Sequence, residues 1–352
     1  MTKKTHPYQG LPTEQYWRNA VSETLPGEID PTSDPKFEIR PDMKVSTLGS
    51  CFAQHISRFL TKEGFNYFVT EIAPSGVTKA QEASYGVFSA RYGNIYTIRQ
   101  AIQLFDRVFE GWQPKENIWS KDGRWYDALR PSVEPDGFES EEALVLDRIK
   151  HFAAVRKIFE ESEIIVFTLG LTETWRSSID GVVFPVAPGV IAGKFDPTLH
   201  SFHNFNVKET IDDLTTWIEK VKKINPGVKI LLTLSPVYLA ATYEKRHVWV
   251  SSVASKSILR AAIDFVVKQN EDVDYFPSFE IITHAANRGD FYENNLREVN
   301  EMGVRHVMKL FKDNYLIDFS QAKSELKNDI RTDVTSTTKA ISAINCDEDL
   351  IF

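Results

Sequence analysis

The stretch that decides the fold is KVSTLGSCFAQHISRFLTKEG, residues 44–64. Its first part, Lys44 to Gly49, predicts a short strand. In the second part apolar side chains recur at helical spacing until Gly64, which predicts an amphipathic helix closed by a glycine cap. Ser50 therefore lies at a strand-to-helix turn.

Two more stretches predict strands buried on both faces. Residues 163–170 (EIIVFTLG) and 228–236 (VKILLTLSP) are continuously apolar in their centres, as is typical of a parallel sheet covered on both sides. Each follows a predicted helix, at residues 141–162 and 207–223. Because helix and apolar strand alternate, we predict an α/β domain of three layers, α/β/α, with a mostly parallel central sheet.

The same reasoning predicts smaller elements along the chain. They are a second strand at 66–70, a hairpin at 116–130 turning at Asp122-Gly123, a strand at 181–186, a helix at 250–270, a strand at 274–278 and a last helix at 297–313. In such folds ligands bind beyond the carboxyl ends of the strands, so the residues that follow each strand are the candidates for function.

The bulk composition narrows the function. The chain has 352 residues, 42% of them apolar and 26% charged, with a net charge of -8 and a pI of about 5.6. This acidic balance argues against a general nucleic-acid binder. The two cysteines, Cys51 and Cys346, predict no disulfide framework and favour a reducing, cytoplasmic location.

Other classes are also disfavoured by the sequence. No cysteine and histidine cluster has zinc spacing, and we expect neither a metal nor a cofactor. The N-terminal residues do not resemble a secretory signal, and no apolar run is long enough to predict a membrane span. The sequence leaves the oligomeric state open.

The chain divides into three parts by composition. Residues 1–40 predict an arm packed on the domain by its aromatic side chains, which are Tyr8, Tyr16, Trp17 and Phe37. Residues 41–318 predict the domain itself. Residues 319–352 are polar and predict a mobile tail.

Ser50 is the first candidate for chemistry. A serine at a helix N-terminus lies in a positive field beside free backbone N–H groups, which can stabilise an oxyanion. Gly49 allows the backbone to turn tightly. The alternative is that Ser50 caps the helix, and Cys51 is an alternative nucleophile or a small buried side chain. A catalytic role requires the Ser50 hydroxyl to face an open cleft.

The second apolar strand is followed by Gly170, Thr172 and Glu173. Thr172 can donate to an oxyanion. Glu173 can bind a sugar hydroxyl, orient a histidine, cap a helix, or act as a structural hydrogen-bonding centre. The third strand ends in Ser235-Pro236, which predicts a turn.

Several segments, taken in order, resemble the GSCFA family. They are GSCFA (49–53), FTLGLTETW (167–175), HNF (203–205), LSPV (234–237) and FYENNLREVNEMGV (291–304). The resemblance covers residues 40 to about 315. The GSCFA family is similar to the SGNH/GDSL hydrolases. This similarity implies the three-layer α/β/α architecture of those hydrolases, with a flavodoxin-like strand order.

The resemblance implies roles for individual residues. Ser50 takes the position of the nucleophile, and GLTE (170–173) takes that of a block in which Thr172 replaces an asparagine of the oxyanion hole. Gly93-Asn94 is the candidate that supplies the amide donor in its place.

The last block departs from the family pattern. Asn295 and Glu298 stand where the related hydrolases have Asp-x-x-His, so the usual base is absent. A serine without a base is a poor nucleophile. The candidates for the base are His203, in a polar loop between a strand and a helix, then His247 and Glu298, whereas His55 points away from Ser50 and favours packing.

We therefore hypothesise a serine-dependent acyl-ester hydrolase or O-acyltransferase of the SGNH type. Its substrate would be an acylated carbohydrate or another small ester. Ser50, His203 and Glu173 would be catalytic, with Gly49, Asn94, Gly170, Thr172 and Glu298 at the oxyanion or substrate. The alternative is a non-catalytic carbohydrate- or partner-binding module that keeps the scaffold and has lost the base.

Overall fold

A computed structural model describes residues 6–76 and 84–317. Its strands are, in chain order, β1 (Val45–Gly49), β2 (Ile118–Lys121), β3 (Arg124–Asp127), β4 (Ile164–Leu169), β5 (Glu173–Ser177), β6 (Val183–Phe184), β7 (His200–Asn204), β8 (Lys229–Leu234) and β9 (Val273–Phe276). Its α-helices are α1 (Ala53–Lys62), α2 (Ile98–Phe105), α3 (Glu141–Glu161), α4 (Val207–Ile224), α5 (Val248–Val267), α6 (Ser278–Thr283) and α7 (Glu301–Tyr315). None of these described helices combines the length and the apolar character needed to cross a bilayer.

The centre is a four-stranded parallel sheet in the order β1-β4-β8-β9. The predicted second strand is reduced to a single parallel bridge between Tyr67 and Val45. This bridge lies on the free side of β1, so the segments follow the order 2-1-3-4-5 expected of a flavodoxin-like sheet. The predicted mostly parallel α/β architecture is confirmed.

Both faces of the sheet are covered, which explains the continuously apolar strands. Along β4, Ile164 and Val166 face one apolar cluster, and Ile165, Phe167 and Leu169 face another. Helices α1 and α7 pack on the first face, and helices α2 to α5 on the second. Alternate side chains of one strand thus enter two different cores.

A smaller antiparallel sheet lies beyond the end of β4. Its order is β6-β5-β7, with Trp175 opposite Phe202 and Thr174 opposite His203. The prediction that His203 lies in a loop is wrong, since residues 200–204 pair along all of β5. The predicted hairpin is confirmed as β2 and β3, with Asp122 and Gly123 both at positive φ.

The ends of the chain differ in part from the prediction. Phe37 is buried, whereas Tyr8 and Trp17 are 69% and 73% exposed, so only one of these three aromatic side chains packs the arm. The last helix begins at Glu301 instead of residue 297, because the Asn300 side chain caps it by accepting from the Gly303 N–H. The tail at 319–352 lies outside the described residues, and the division into domains stays a prediction.

Candidate active site

Ser50 lies in the turn between β1 and α1, as predicted, but it does not cap the helix. The N-cap position is Phe52, and no side chain caps this end of α1. Within the part of the chain that the structure describes, the Ser50 hydroxyl has no hydrogen-bond partner. The N-cap interpretation of Ser50 is therefore wrong, and the hydroxyl contributes no hydrogen bond to the turn.

The expectation that Ser50 faces an open cleft is also wrong. Ser50 is 2% exposed, and its hydroxyl oxygen is buried. Gly170 lies against it, because a Cβ at Gly170 would be 3.1 Å from the Ser50 Cβ and 3.2 Å from the Tyr96 ring. The structure thus brings Ser50 and Gly170 together, as the family resemblance implies, with the Tyr96 ring against Gly170.

Residues 94–97, which we call the crossing segment, close the carboxyl ends of β1 and β4. The Ile95 N–H donates to the Gly49 carbonyl at 2.8 Å. The Gly170 and Leu171 N–H groups donate to the Tyr96 carbonyl at 3.2 and 3.1 Å. The N–H groups of Gly170 and Leu171 are therefore both engaged within the protein.

The amide of Ser50 is engaged as well. Its N–H donates to the Thr168 carbonyl at 3.0 Å, so the proposal that this amide waits for an oxyanion does not fit the structure. Gly49 makes the bond possible: it has φ +129, and a Cβ there would lie 2.8 Å from the Thr168 carbonyl carbon. Only glycine allows β1 to end so close to β4.

Asn94, the second oxyanion candidate, is buried with 5% exposure. It lies in the wall of a cavity together with Arg107, Arg130 and His151. Ser50 does not line this cavity. The oxyanion role of Asn94 therefore stays a prediction.

Thr172 and Glu173 belong to a polar network beyond the end of β4. The Thr172 N–H donates to the Ser255 hydroxyl at 3.1 Å, and the Thr172 hydroxyl donates to Asn204 Oδ1 at 2.7 Å. Both donors of Thr172 are thus used within the protein, which does not fit the predicted oxyanion role.

Glu173 is a hydrogen-bonding centre, one of the four roles that the sequence left open. Its carboxylate accepts from the Thr242 hydroxyl at 2.6 Å and from the Tyr243 N–H at 3.2 Å. Burial raises the pKa of Glu173. The carboxylate ties the loop after β8 to the start of β5.

None of the three predicted bases contacts Ser50. His203 Nε2 lies 3.1 Å from Glu209 Oε1, a charge contact without hydrogen-bond geometry. His247 caps α5, its Nδ1 accepting from the Trp249 N–H. Glu298 is exposed, so the structure does not support it as a base for the buried Ser50.

The Asn295 and Glu298 segment forms a surface turn. Asn295 Oδ1 accepts from the N–H groups of Arg297 and Glu298, each at 3.0 Å. Leu296 has φ +55, a left-handed conformation that is unusual for this residue. The segment that stands in place of Asp-x-x-His is thus a local turn, and the Asn295 side chain holds it.

Sequence reasoning missed two polar residues of this region. Lys256 is 3% exposed, and its ammonium group donates to the Gly170 carbonyl at 2.7 Å. Glu209 contacts His203 from the third position of α4, where it also completes a capping box with Asn206. Two signals in the sequence could have found them. One is the lone lysine in the apolar helix α5, which follows β8, and the other is the pattern Asn-x-x-Glu at the start of α4.

An aromatic cluster surrounds Trp175 of β5. Trp175 contacts Tyr243, Phe195 and Phe202 with ring centroids 4.8, 5.1 and 5.9 Å apart. Tyr243 is 65% exposed and Phe195 is 39% exposed. The Tyr243 N–H bond to Glu173 fixes this cluster beside a carboxylate.

The neighbours of Ser50 in sequence have packing roles. Cys51 is buried, which fits the interpretation of a small apolar side chain. His55 packs against the Phe52 ring with centroids 5.1 Å apart, as expected from its position on α1.

His55 also links stability to pH. Burial, with a smaller effect of Arg58, lowers the pKa of His55 to about 4, against about 6.5 in an unfolded chain. The unfolded chain therefore binds more protons in this interval, and the free energy of unfolding falls as the pH drops from about 6.5 to about 4. We expect His55→Gln to make that part of the pH profile shallower in urea unfolding, whereas His6→Gln, at an exposed site, leaves it unchanged. An unaltered slope in His55→Gln would contradict the assignment.

Fold and site together define a parallel α/β domain with a buried serine at the end of its first strand. The chain belongs to the GSCFA family, whose model matches residues 44–311. No curated protein matches it significantly.

Several solved structures are similar in fold at low identity. A carbohydrate esterase family 3 protein from Talaromyces cellulolyticus has 14% identity and a TM-score of 0.36, over 81% of this chain and 100% of that chain. A mutant acetyl esterase with acetate ion has 14% identity and a TM-score of 0.30, over 77% and 95%. A Clostridium thermocellum family 3 carbohydrate esterase has 9% identity and a TM-score of 0.27, over 77% and 94%. At these values the likeness does not extend to activity.

Proposed function

We propose that the chain is a serine-dependent acyl-ester hydrolase or O-acyltransferase that acts on an acylated carbohydrate or another small ester. The observation that carries the proposal is the Ser50 hydroxyl, buried beside Gly170 without a hydrogen-bond partner in the described chain. A buried polar group left unsatisfied costs about 1–3 kcal/mol. Such a group needs an explanation, and a catalytic role is one of the few available.

The reaction requires the crossing segment to leave the strand ends. Its departure uncovers Ser50 and releases the N–H groups of Gly170 and Leu171, which now donate to the Tyr96 carbonyl. Two such N–H groups beside the nucleophile can stabilise the oxyanion of a tetrahedral intermediate. In this proposal they replace the Ser50 amide as donors.

The chemical steps follow those of other serine acyl transfers. The Ser50 hydroxyl attacks the ester carbonyl and gives its proton to a base, which passes it to the departing alcohol. Water then resolves the acyl-serine in a hydrolase, and a sugar hydroxyl does so in a transferase. We retain His203 as the proposed base, because Glu209 lies beside it and because Phe205 links its strand to Thr172 by an N–H bond of 2.9 Å.

The aromatic cluster supports a saccharide as the acylated substrate. Exposed rings of Tyr243 and Phe195 offer flat apolar faces, and the Glu173 carboxylate, which accepts from the Tyr243 N–H, lies beside them. Sugar rings bind to such combinations of apolar faces and polar edges. The cytoplasmic location stays a prediction.

Labelling with a fluorophosphonate tests the proposal. We expect modification of the folded protein at Ser50, none in Ser50→Ala, and unchanged labelling in Ser46→Ala, whose hydroxyl is buried in β1, just before Ser50, but contacts Ser162 at 2.8 Å. Acetate release from p-nitrophenyl acetate should fall by about 10³-fold or more in Ser50→Ala. Folded wild-type protein that resists labelling would contradict the proposal.

A non-catalytic binding module is the second candidate, and one observation favours it. The amides of Ser50 and Gly170 both donate to backbone carbonyls, as in a site with no oxyanion to bind. This candidate predicts no labelling at Ser50, together with saccharide binding that Trp175→Ala abolishes. Quenching of tryptophan fluorescence by a panel of acetylated sugars, measured in Ser50→Ala, separates binding from turnover.

A further inference from the structure

A cavity whose wall combines apolar, amide and charged side chains lies beside the crossing segment, and Ser50 does not line it. Its volume is about 20 Å³, and its wall includes Asn94, Gln103, Arg107, Arg130 and His151. A cavity needs roughly 10–15 Å³ by this measure to hold one water molecule. The space therefore accommodates a water molecule or a compact ion.

Three of the lining side chains have buried nitrogen atoms without a hydrogen-bond partner among the described residues. They are Nε and Nη2 of Arg107, Nη1 of Arg130 and Nε2 of His151. The other nitrogens of Arg130 bind Asp127 and Asp147 at 3.1 and 2.6 Å, and His151 Nδ1 lies 2.8 Å from Glu71. Burying charged donors without acceptors is costly, so these groups call for an acceptor.

Arg107 is the least compensated of these cations. Its closest carboxylate is Asp127, at 3.8 Å, and Asp127 also serves Arg130 and Arg148 at 3.1 and 2.9 Å. Burial lowers the pKa of Arg107 to about 10 even with Asp127 nearby. An anion beside Arg107 would supply the acceptor that its Nε and Nη2 lack among the described residues.

Arg99 shows how the Nε and Nη2 edge of a guanidinium binds a carboxylate elsewhere in this protein. Its Nε and Nη2 both donate to the carboxylate of Asp213, at distances from 2.5 to 3.1 Å. These two N–H groups point in parallel and match the two oxygens of a carboxylate. In Arg107 the corresponding pair is buried without such an acceptor from the described chain.

We propose that this cavity binds a compact carboxylate anion, of formate or acetate size, through the Nε and Nη2 edge of Arg107 and Nη1 of Arg130. The planar shape follows from the Arg107 edge, and the small size follows from the volume of the cavity. The proposal does not depend on chemistry at Ser50.

Isothermal titration of the full-length protein with sodium acetate and sodium formate tests it, at constant ionic strength with chloride as the background. We expect saturable binding of both anions, and at least about 10-fold weaker binding in Arg107→Lys, which keeps the charge but loses the paired donors. Arg99→Lys is the matched control, and its binding should be unchanged because Asp213 occupies that edge. Phosphate that binds more tightly than acetate would contradict a carboxylate site.

Crystals of the wild-type protein soaked in acetate keep the test decisive if Arg107→Lys fails to fold. Planar electron density within about 3.2 Å of the Arg107 Nε and Nη2 supports the proposal. Density for ordered water alone in the cavity, in a crystal saturated with acetate, would overturn it.

Discussion

Replacing Gly49 with alanine is expected to lower the free energy of unfolding by about 3–5 kcal/mol. Two costs combine at this position. The backbone has φ +129, which an L side chain rarely adopts, and the new Cβ would lie 2.8 Å from the Thr168 carbonyl carbon and closer still to its oxygen. Backbone atoms of β4 cannot move aside without breaking the β1 and β4 register. Urea unfolding followed by circular dichroism measures the loss.

Gly123→Ala separates the two costs. Gly123 also has a positive φ, +76, but an added Cβ there meets nothing within 4 Å. Its substitution should cost only the conformational part, about 1–2 kcal/mol. If the two variants lose equal stability, the close approach of β1 to β4 does not constrain residue 49.

The sequence predicted the sheet because its strands carry a strong local signal. Residues 163–170 and 228–236 are apolar at their central positions, and the structure places those side chains alternately in two cores. The strand predicted at 181–186 contains β6, but β5 and β7 of the small sheet were missed because they are polar and mixed and because they pair residues 23 to 31 positions apart. Strand β5 also begins only three residues after Gly170, where a turn is the more natural expectation.

The position of Ser50 beside Gly170 also followed from the sequence, since strand ends meet at one edge of a parallel sheet. Its cover did not. The crossing segment is held by bonds from Ile95 to Gly49 and from Gly170 and Leu171 to Tyr96, which join distant parts of the chain. No periodicity or motif encodes such contacts, so the closed state of the site could not be predicted.

Asp127→Asn is expected to cost about 3–5 kcal/mol, because it leaves buried cations without their shared counter-charge. Asp127 is 1% exposed and forms ion pairs with Arg130, Arg148 and Arg107 at 3.1, 2.9 and 3.8 Å. Burial favours the protonated acid, but the three guanidinium groups outweigh it and hold the pKa of Asp127 well below its usual range. The asparagine keeps the shape, but it removes the charge and replaces one of the two accepting oxygens with a donating NH2 group.

Asp212→Asn is the control for loss of a carboxylate at the surface. Asp212 is 57% exposed and pairs with Lys208 at 2.5 Å within α4, so its removal should cost less than about 0.5 kcal/mol. The pH dependence separates Asp127 from His55. A carboxylate with a lowered pKa stabilises the fold above its unfolded pKa of about 3.9 and loses that effect only as the pH falls through the lower folded value. The deficit of Asp127→Asn should therefore stay constant between pH of about 7 and about 4.5, and a deficit that shrinks in this range would show that Asp127 is protonated there.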